Sequence, residues 1–290
     1  MPTCVHSVFH VGAGNNVLDS RLFLVGREQM AKPVIVKIAE NIATVLLNRP
    51  QAFNAFDREL TDCFEEHLIS LAADRNIRAV IISGEGKAFC AGGDLKYVLS
   101  FAQGPSTALH QLAARFHQAI LEIRRMSKPV IAAINGTAAG GGFSLALACD
   151  FRVMAKSTSL RQAYTSSGLS IDGGGSFMLP RLVGLGRALE IMAFDRPISS
   201  EQAMAWGLVT KVVKDEDVIE EATEMARELV RGSPASFGWS KRLLTDSFDS
   251  SFETQIEQER RGICACAETP EGTEGLRAFV EKRKPDFTSR

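Results

Sequence analysis

Glycines at two turns, together with one aspartate, are the residues best suited to chemistry in this chain of 290 residues. The first turn holds Gly92–Gly93 within CAGGD, and the second holds Gly140–Gly142 within NGTAAGGGFSLALACD. Backbone N–H groups at a helix start are unpaired donors in a partly positive field, and glycine leaves them accessible. Two such donors, one from each turn, would form an oxyanion hole for a carbonyl that becomes an enolate.

The glycines allow two other interpretations, phosphate binding and close packing. Neither turn contains GxxxxGK[ST], which excludes a Walker phosphate loop, and GxGxxG is absent at the strand–helix junctions. Glycine also allows a helix to pack closely against a sheet, and this alternative stays open on spacing alone. Three glycines in a row are costly to order, because glycine loses more backbone freedom on folding than any other residue.

Composition excludes some classes of function. The net charge of -1 offers no overall attraction to nucleic acid or to an anionic membrane surface. The six cysteines include no CxxC pair and no zinc spacing, which predicts no metal site, a reducing compartment and a cytoplasmic location. No apolar stretch reaches the ~20 residues that a membrane-spanning helix requires. Residues 1–30 lack a secretory signal pattern and are interpreted as an irregular N-terminal extension.

The elements that must position the glycines alternate along the chain. Residues 33–50 read as a hairpin around Glu40–Asn41, and short apolar runs at 78–83, 128–135 and 151–155 read as strands buried on both faces. Asp57 is predicted to cap a helix, and Ser199 or Ser200 another. Strands alternating with helices predict a parallel-type layered α/β fold, in which ligands gather beyond the strand ends.

Two blocks carry a resemblance to a known family. AFCAGGDL at 88–95 and the glycine block at 135–150 resemble the signature blocks of the crotonase (enoyl-CoA hydratase/isomerase) superfamily. Supporting blocks follow in the same order, LNRPQAFNAF at 47–56, LPRLVGLGRALEIM at 179–192, AMAWGLVTKVV at 203–213 and FVEKRKPDF at 279–287. GLSIDGGGSFMLPRLVG is most similar to the phenylacetate-type enoyl-CoA isomerase branch. The resemblance covers residues 33–287.

The resemblance implies an architecture and a ligand. It implies a crotonase-like spiral of ββα units at 31–225, after the extension at 1–30, and a C-terminal helical trimerisation region at 226–290. It implies a homotrimer or a dimer of trimers, and an acyl-CoA thioester as ligand. No separate cofactor is expected, because coenzyme A is part of the substrate.

The resemblance also assigns site residues. The oxyanion-hole donors would be the amides of Gly93 and Gly141. Lys282 would meet a phosphate of coenzyme A, on the same or an adjacent subunit, or else belong to a solvated terminal charge run. The other residues expected to bind substrate are Ala52, Ala55, Ala91, Gly92, Asp94, Leu95, Gly140, Ser144 and Tyr164. Asp94 is also interpreted as a structural helix cap.

The acid–base residues separate isomerisation from hydration. Family hydratases carry two glutamates, at the positions that are Ser144 and Tyr164 here, and both carboxylates are therefore missing. Asp172 remains, at a position where several branches of the superfamily place a catalytic aspartate. One carboxylate beside an enolate can move a proton from one carbon to another, whereas adding water requires both a base and an acid. His110 and His117 lie in a helical segment that could cover the acyl pocket.

The sequence therefore predicts an enoyl-CoA isomerase in which Asp172 carries the proton. One alternative is a hydratase, a hydro-lyase, that handles its water with Asp172 alone. The other is a non-catalytic member that binds acyl-CoA or RNA, although the near-neutral charge disfavours RNA. Neither nucleic acid nor a membrane is expected as a partner.

Overall fold

The computed structural model describes residues 9–10 and 32–288, and in them eleven strands and ten α-helices are present. The predicted extension at 1–30 lies almost entirely outside the described residues. The strands are β1 (Phe9–His10), β2 (Val34–Ala39), β3 (Ile42–Leu47), β4 (Ala79–Gly84), β5 (Ala88–Cys90), β6 (Val130–Ile134), β7 (Thr137–Ala139), β8 (Phe151–Ala155), β9 (Ser159–Arg161), β10 (Ile198–Ser199) and β11 (Lys211–Val213). The helices are α1 (Arg58–Ala73), α2 (Leu95–Ser100), α3 (Pro105–Arg125), α4 (Gly141–Ala148), α5 (Gly175–Phe194), α6 (Ser200–Ala205), α7 (Val218–Leu229), α8 (Pro234–Asp246), α9 (Phe252–Ala267) and α10 (Pro270–Val280). In this part of the chain, no helix is long and apolar enough to cross a membrane.

The strands form two sheets, and the chain passes from the larger sheet to the smaller at regular intervals. A seven-stranded sheet has the order β1-β2-β3-β4-β6-β8-β11, and a four-stranded sheet has the order β10-β9-β7-β5. Three successive units, β4–β5, β6–β7 and β8–β9, each place their first strand in the larger sheet and their second in the smaller, before the chain enters a helix. The predicted spiral of ββα units is therefore confirmed.

Local signals in the sequence correspond to observed elements. β2 and β3 pair antiparallel, and Glu40 and Asn41 between them both have positive φ, as a two-residue hairpin turn with matching twist requires. Asp57 caps α1 by accepting the Leu60 N–H at 2.9 Å. Ser199 caps α6 in a capping box. These predictions are confirmed.

The larger sheet is covered on both faces, and its strands divide their side chains between two cores. In β4, Val80 and Ile82 belong to a core shared with α1, α3, α4 and α5, whereas Ala79 and Ile81 belong to a second core shared with α7. All six residues of β4 are buried. Alternate side chains of β4 face the two cores, which explains why residues 79–82 are all apolar.

The C-terminal helices α8, α9 and α10 pack on one another, and a buried lysine fastens α8 to the core. Lys241 Nζ donates to Ile123 O at 2.7 Å and to the carboxylate of Asp150 at 2.7 Å. Asp150 Oδ2 also accepts the Val130 N–H at 2.8 Å. The predicted division after residue 225 falls within α7 and stays a prediction.

Replacing Lys241 with methionine is expected to lower the free energy of unfolding by about 3–5 kcal/mol, because the carboxylate of Asp150 would stay buried without its cation. Urea denaturation followed by circular dichroism measures the change. The control is Arg242→Ala, because that side chain is 67% exposed and its pair with Asp246 should contribute less than about 1 kcal/mol. Equal losses in the two variants would contradict the role of the buried pair.

Candidate active site

The first glycine turn follows β5 and is held by a short parallel ladder. The Ala91 N–H donates to Phe53 O at 3.0 Å, the Phe56 N–H donates to Gly92 O at 2.7 Å, and the Asp94 N–H donates to Phe56 O at 2.9 Å. Gly93 is the residue bridged to Phe56 in this ladder. The N–H of a bridged residue in a parallel pair points to the opposite side, and within residues 32–288 no acceptor for the Gly93 N–H is found.

The second glycine turn follows β7 and begins α4. Gly140 has φ 52° and ψ -123°, and its N–H donates to Arg161 O at 3.1 Å. Gly141 is the first residue of α4, so its N–H has no partner within the helix, and the described part of the chain offers no other. The turn therefore presents one unpaired donor at the positive end of a helix.

The two turns touch through bare backbone. A Cβ atom added to Gly92 would lie 2.9 Å from Gly141 N and 2.9 Å from Ala139 O. A Cβ atom on Gly93 would meet nothing within 4 Å, so this residue faces open space. The arrangement brings the two amides of the predicted oxyanion hole to adjoining segments, and their role stays a prediction.

Three side chains form a chain of hydrogen bonds beside the second turn. Ser144 lies one turn of α4 after Gly141, and its Oγ is 3.0 Å from the Tyr164 hydroxyl. Tyr164 donates to Asp172 Oδ1 at 2.5 Å. The structure therefore joins the one remaining carboxylate to both positions at which family hydratases carry glutamates.

The direction of these hydrogen bonds follows from the groups. A carboxylate only accepts hydrogen bonds, so the Tyr164 hydroxyl donates its single proton to the bond with Asp172. It must therefore accept the hydrogen bond that Ser144 donates. Burial, and then the negative charge of Asp172, raises the pKa of Tyr164, which keeps the phenol protonated. The Asp172 side chain is 36% exposed, and within residues 32–288 its second oxygen, Oδ2, accepts no described hydrogen bond.

His117 approaches Asp172 from α3, which the sequence suggested only as a segment that could cover the pocket. Its Nε2 lies 3.5 Å from Asp172 Oδ2 and accepts the Gly173 N–H at 3.1 Å. A nitrogen that accepts this bond carries no proton, so in this arrangement His117 does not donate to Asp172. No described hydrogen bond or ion pair joins His110 to the site.

Tyr164 is held by residues that sequence reasoning missed. Ala163 has φ 53°, which is unusual for a residue other than glycine, and its N–H donates to Asp195 Oδ1 at 2.8 Å. Arg161 pairs with Asp195 at 3.2 Å. Gln162 Oε1 accepts the Tyr164 N–H at 2.9 Å. No local signal marks Asp195, because it is 32 positions from Ala163 and lies just after α5.

The ring of Phe116 lies between the second turn and the loop of Asp172. A Cβ atom on Gly141 would lie 3.7 Å from this ring, and one on Gly173 would lie 2.5 Å from it. Gly173 also has φ 59°, so glycine is required there for two reasons. The loop of Asp172 can therefore pack against Phe116, beside the second glycine turn, because residue 173 lacks a side chain.

The other predicted substrate residues lie at the first glycine turn, apart from Lys282. Asp94 caps α2 by accepting the N–H groups of Lys96 and Tyr97. Ala52, Ala55, Ala91 and Leu95 lie on or beside the ladder of the first turn. Lys282 follows α10, which packs against α9, and no described contact brings its side chain to either glycine turn. The predicted contact of Lys282 with a phosphate of coenzyme A stays a prediction.

Within residues 32–288 there is no group of three or more His, Cys, Asp or Glu side chains that could hold a metal ion. A cavity of about 730 Å³ lies elsewhere, between the end of α7, α8, the end of α9 and the first half of α10, and does not include the glycine turns. The candidate site is formed by the two glycine turns and the loop of Asp172.

Comparison with known proteins finds one matching family model and relatives whose names refer to coenzyme A esters. A family model described as enoyl-CoA hydratase/isomerase matches residues 37–290. The chain is 32% identical over 262 residues to the 1,2-epoxyphenylacetyl-CoA isomerase of Escherichia coli strain K12, covering 90% of this chain and 100% of that relative. It is 32% identical over 253 residues to a 4-chlorobenzoyl coenzyme A dehalogenase of Arthrobacter sp, covering 86% and 91%. The crystal structure of an enoyl-CoA hydratase from Bacillus anthracis superposes with a TM-score of 0.83 at 33% identity, covering 89% and 100%.

Tyr164 is expected to resist ionisation in the folded protein. The chain has two tyrosines, so a Tyr97→Phe variant reports on Tyr164 alone. Its ultraviolet absorbance should show no phenolate as the pH passes ~10, the ordinary pKa of tyrosine, until the protein unfolds. The unfolded chain loses this proton above pH ~10, whereas the folded chain keeps it. The contribution of Tyr164 to the free energy of unfolding is therefore fully present below pH ~10 and decreases above it.

Adding Asp172→Asn to the Tyr97→Phe variant should lower the pKa of Tyr164, because the charge that raises it is removed. Ionisation of Tyr164 near pH 10 in the folded Tyr97→Phe protein would contradict the hydrogen-bond chain.

Proposed function

The chain belongs to the enoyl-CoA hydratase/isomerase family, and from that premise we propose that it shifts a double bond within an enoyl-CoA thioester. The observation that carries this proposal is the hydrogen bond of 2.5 Å from Tyr164 to Asp172. It ties a hydroxyl group, at a position where hydratases carry a glutamate, to the one carboxylate that remains. Asp172 is then the one carboxylate at these three positions, and one carboxylate suffices for moving a proton, whereas the addition of water by two carboxylates would need a second.

In the proposed reaction, the amides of Gly93 and Gly141 bind the thioester oxygen. The carboxylate of Asp172 removes a proton from a carbon next to the double bond, and the electron pair moves into a dienolate whose oxygen the two amides stabilise. The protonated Asp172 then returns the proton to the other end of the conjugated system, so the atoms of substrate and product are the same. An oxyanion-hole donor of this kind typically contributes about 3–4 kcal/mol to the transition state.

Tyr164 supports this step by holding one oxygen of Asp172. With Oδ1 fixed by the hydroxyl, Oδ2 is the oxygen left for the substrate proton. Ser144 in turn fixes the direction of the Tyr164 proton. The proposed chemistry is proton transfer, so it requires no cofactor beyond the coenzyme A that is part of the substrate.

A hydrolytic dehalogenase is a second candidate, favoured by the approach of His117 to Asp172 at 3.5 Å and by the relative named as a dehalogenase. Asp172 would displace a halide from an aromatic acyl-CoA, and a water activated by His117 would then cleave the resulting ester. Isomerisation ranks higher, because His117 Nε2 is engaged by the Gly173 N–H and would have to leave it to accept a proton from water.

Incubation with a 3-enoyl-CoA, crotonyl-CoA and 4-chlorobenzoyl-CoA in deuterated water tests the proposal. We expect the 3-enoyl-CoA to be isomerised without a change in formula apart from deuterium uptake, followed by mass spectrometry. Rapid gain of water by crotonyl-CoA would establish a hydratase instead, and chloride release would establish a dehalogenase. Failure to turn over any of these esters while binding them would favour a non-catalytic member.

Asp172→Asn is expected to lower isomerisation by about 10²–10⁴-fold while the affinity for acyl-CoA stays close to that of the wild type, because only the proton carrier is lost. Affinity is measured by calorimetry, and turnover by absorbance of the conjugated product. Asp246→Asn, at a half-exposed aspartate on α8, is the matched control and should leave turnover unchanged. Retained turnover in Asp172→Asn would exclude the proposed proton carrier.

We further propose that the protein assembles as a homotrimer or a dimer of trimers. Large apolar side chains on α9 and α10 are exposed in the single chain, with Phe279 at 85% and Ile263, Leu276 and Val280 each above 60%. Surfaces of this kind commonly mark interfaces. Lys282 follows this surface, so assembly would decide whether it reaches a neighbouring site. Sedimentation equilibrium should give three or six chains, and Phe279→Asp should shift the distribution toward smaller species; a monomer at all concentrations would contradict the proposal.

A further inference from the structure

We propose that Arg49 is the residue that positions the Gly93 amide for the oxyanion hole. This inference rests on the proposed function, because it assigns Gly93 a thioester oxygen to bind. Arg49 lies outside the glycine turns, and its guanidinium contacts both segments of the ladder that holds the first turn, residues 53–57 and 91–94. A single side chain thereby sets the distance between these two segments.

The guanidinium of Arg49 contacts Ala55 and Asp57 on one segment and Asp94 on the other. Its Nη2 lies 3.0 Å from Asp57 Oδ2 and 3.1 Å from Asp94 Oδ2, and its Nη1 donates to Ala55 O at 2.5 Å. The side chain is 19% exposed, so these contacts are largely shielded from water. Charge-assisted hydrogen bonds of this kind are roughly twice as strong as neutral ones.

Both carboxylates held by Arg49 have a second task. Asp57 Oδ1 caps α1, and Asp94 Oδ1 caps α2. Each aspartate therefore divides its two oxygens between a helix N-terminus and the shared guanidinium. Asp94 directly follows Gly93, so the contact of Arg49 with Asp94 Oδ2 restrains the residue next to the proposed oxyanion-hole donor.

The backbone of Arg49 adds a further anchor. Its N–H donates to Asn54 Oδ1 at 2.9 Å, and the amide of Asn54 donates to Glu85 O and Ala88 O. Asn54 is fully buried. The segment 53–56 is thus also tied to Glu85 and to Ala88 of β5, and the Arg49 N–H contributes to this anchor.

Removing the guanidinium would leave Asp57 and Asp94 facing each other without a cation. Their repulsion should widen the ladder between Phe56 and Gly92–Asp94, and the Gly93 N–H would lose its direction. Misplacing a catalytic group by about 1 Å can cost about 10²-fold in rate. We expect a lower kcat with a KM close to that of the wild type, because Arg49 is predicted to act on the reacting oxygen rather than on the bound coenzyme A.

The experiment combines kinetics with infrared spectroscopy of a bound thioester. Butyryl-CoA and phenylacetyl-CoA, each labelled with ¹³C at the thioester carbonyl, are bound to the wild type and to Arg49→Met, Arg49→Lys and Asp94→Asn. In the wild type, two aligned donors should lower the carbonyl frequency. In Arg49→Met we expect most of this shift to be lost and kcat to fall about 10- to 100-fold.

Arg49→Lys should not restore the shift, because an ammonium group cannot reproduce the planar fork that reaches three acceptors. Asp94→Asn keeps a side chain that caps helices and should give an intermediate loss, which tests the link without removing the arginine. Arg58→Met is the control, since that side chain is 57% exposed and pairs with Asp62 on the surface of α1. It should leave both the frequency and kcat unchanged.

The outcomes separate this inference from the proposed function. A wild type that binds the thioesters without any shift of the carbonyl frequency would overturn the oxyanion role and with it the proposed function. A normal shift in the wild type, together with unchanged shift and kcat in Arg49→Met and Asp94→Asn, would overturn the role of Arg49 alone. Circular dichroism shows whether Arg49→Met is folded, and Asp94→Asn decides the question if it is not.

Discussion

The backbone contact between Gly92 and Gly141 is the constraint on which the site depends. A side chain at residue 92 would lie 2.9 Å from Gly141 N, so the two turns can approach only without one. Parallel pairing of β5 with β7 brings their carboxyl ends to one edge of the smaller sheet, and each turn follows one of these strands. The sheet therefore brings two turns, each with one unpaired amide, next to each other.

The three consecutive glycines answer three separate requirements. Gly140 has φ 52° and ψ -123°, a conformation that a side chain would oppose. Gly141 supplies the first, unpaired amide of α4. Gly142 is needed for packing, because a Cβ atom there would lie 2.1 Å from Cys90 O. Packing and the predicted ligand binding are thus not rival explanations of the triplet, because different glycines would serve each.

The chain of hydrogen bonds from Ser144 through Tyr164 to Asp172 satisfies the polar groups that are buried beside the second turn. Two buried hydroxyl groups each need a partner, and the carboxylate at the end of the chain accepts without donating. The order of donors is thereby fixed, and Asp172 keeps one oxygen for a ligand. The ring of Phe116 sets the spacing, because it separates Gly141 from the loop that carries Asp172.

The sequence alone determined the features that depend on nearby residues. The hairpin at Glu40–Asn41, the cap at Asp57 and the buried strands follow from residue types within a few positions, where backbone preference and burial period dominate. The glycine turns and the α/β class were also predictable, because glycine and strand patterns are local. Only the tertiary structure decided the contacts between distant segments, such as Asp195 with Ala163 and the Tyr164–Asp172 pair. The physical reason is that hydrogen bonds across loops depend on where the sheets place those loops, which no local propensity records.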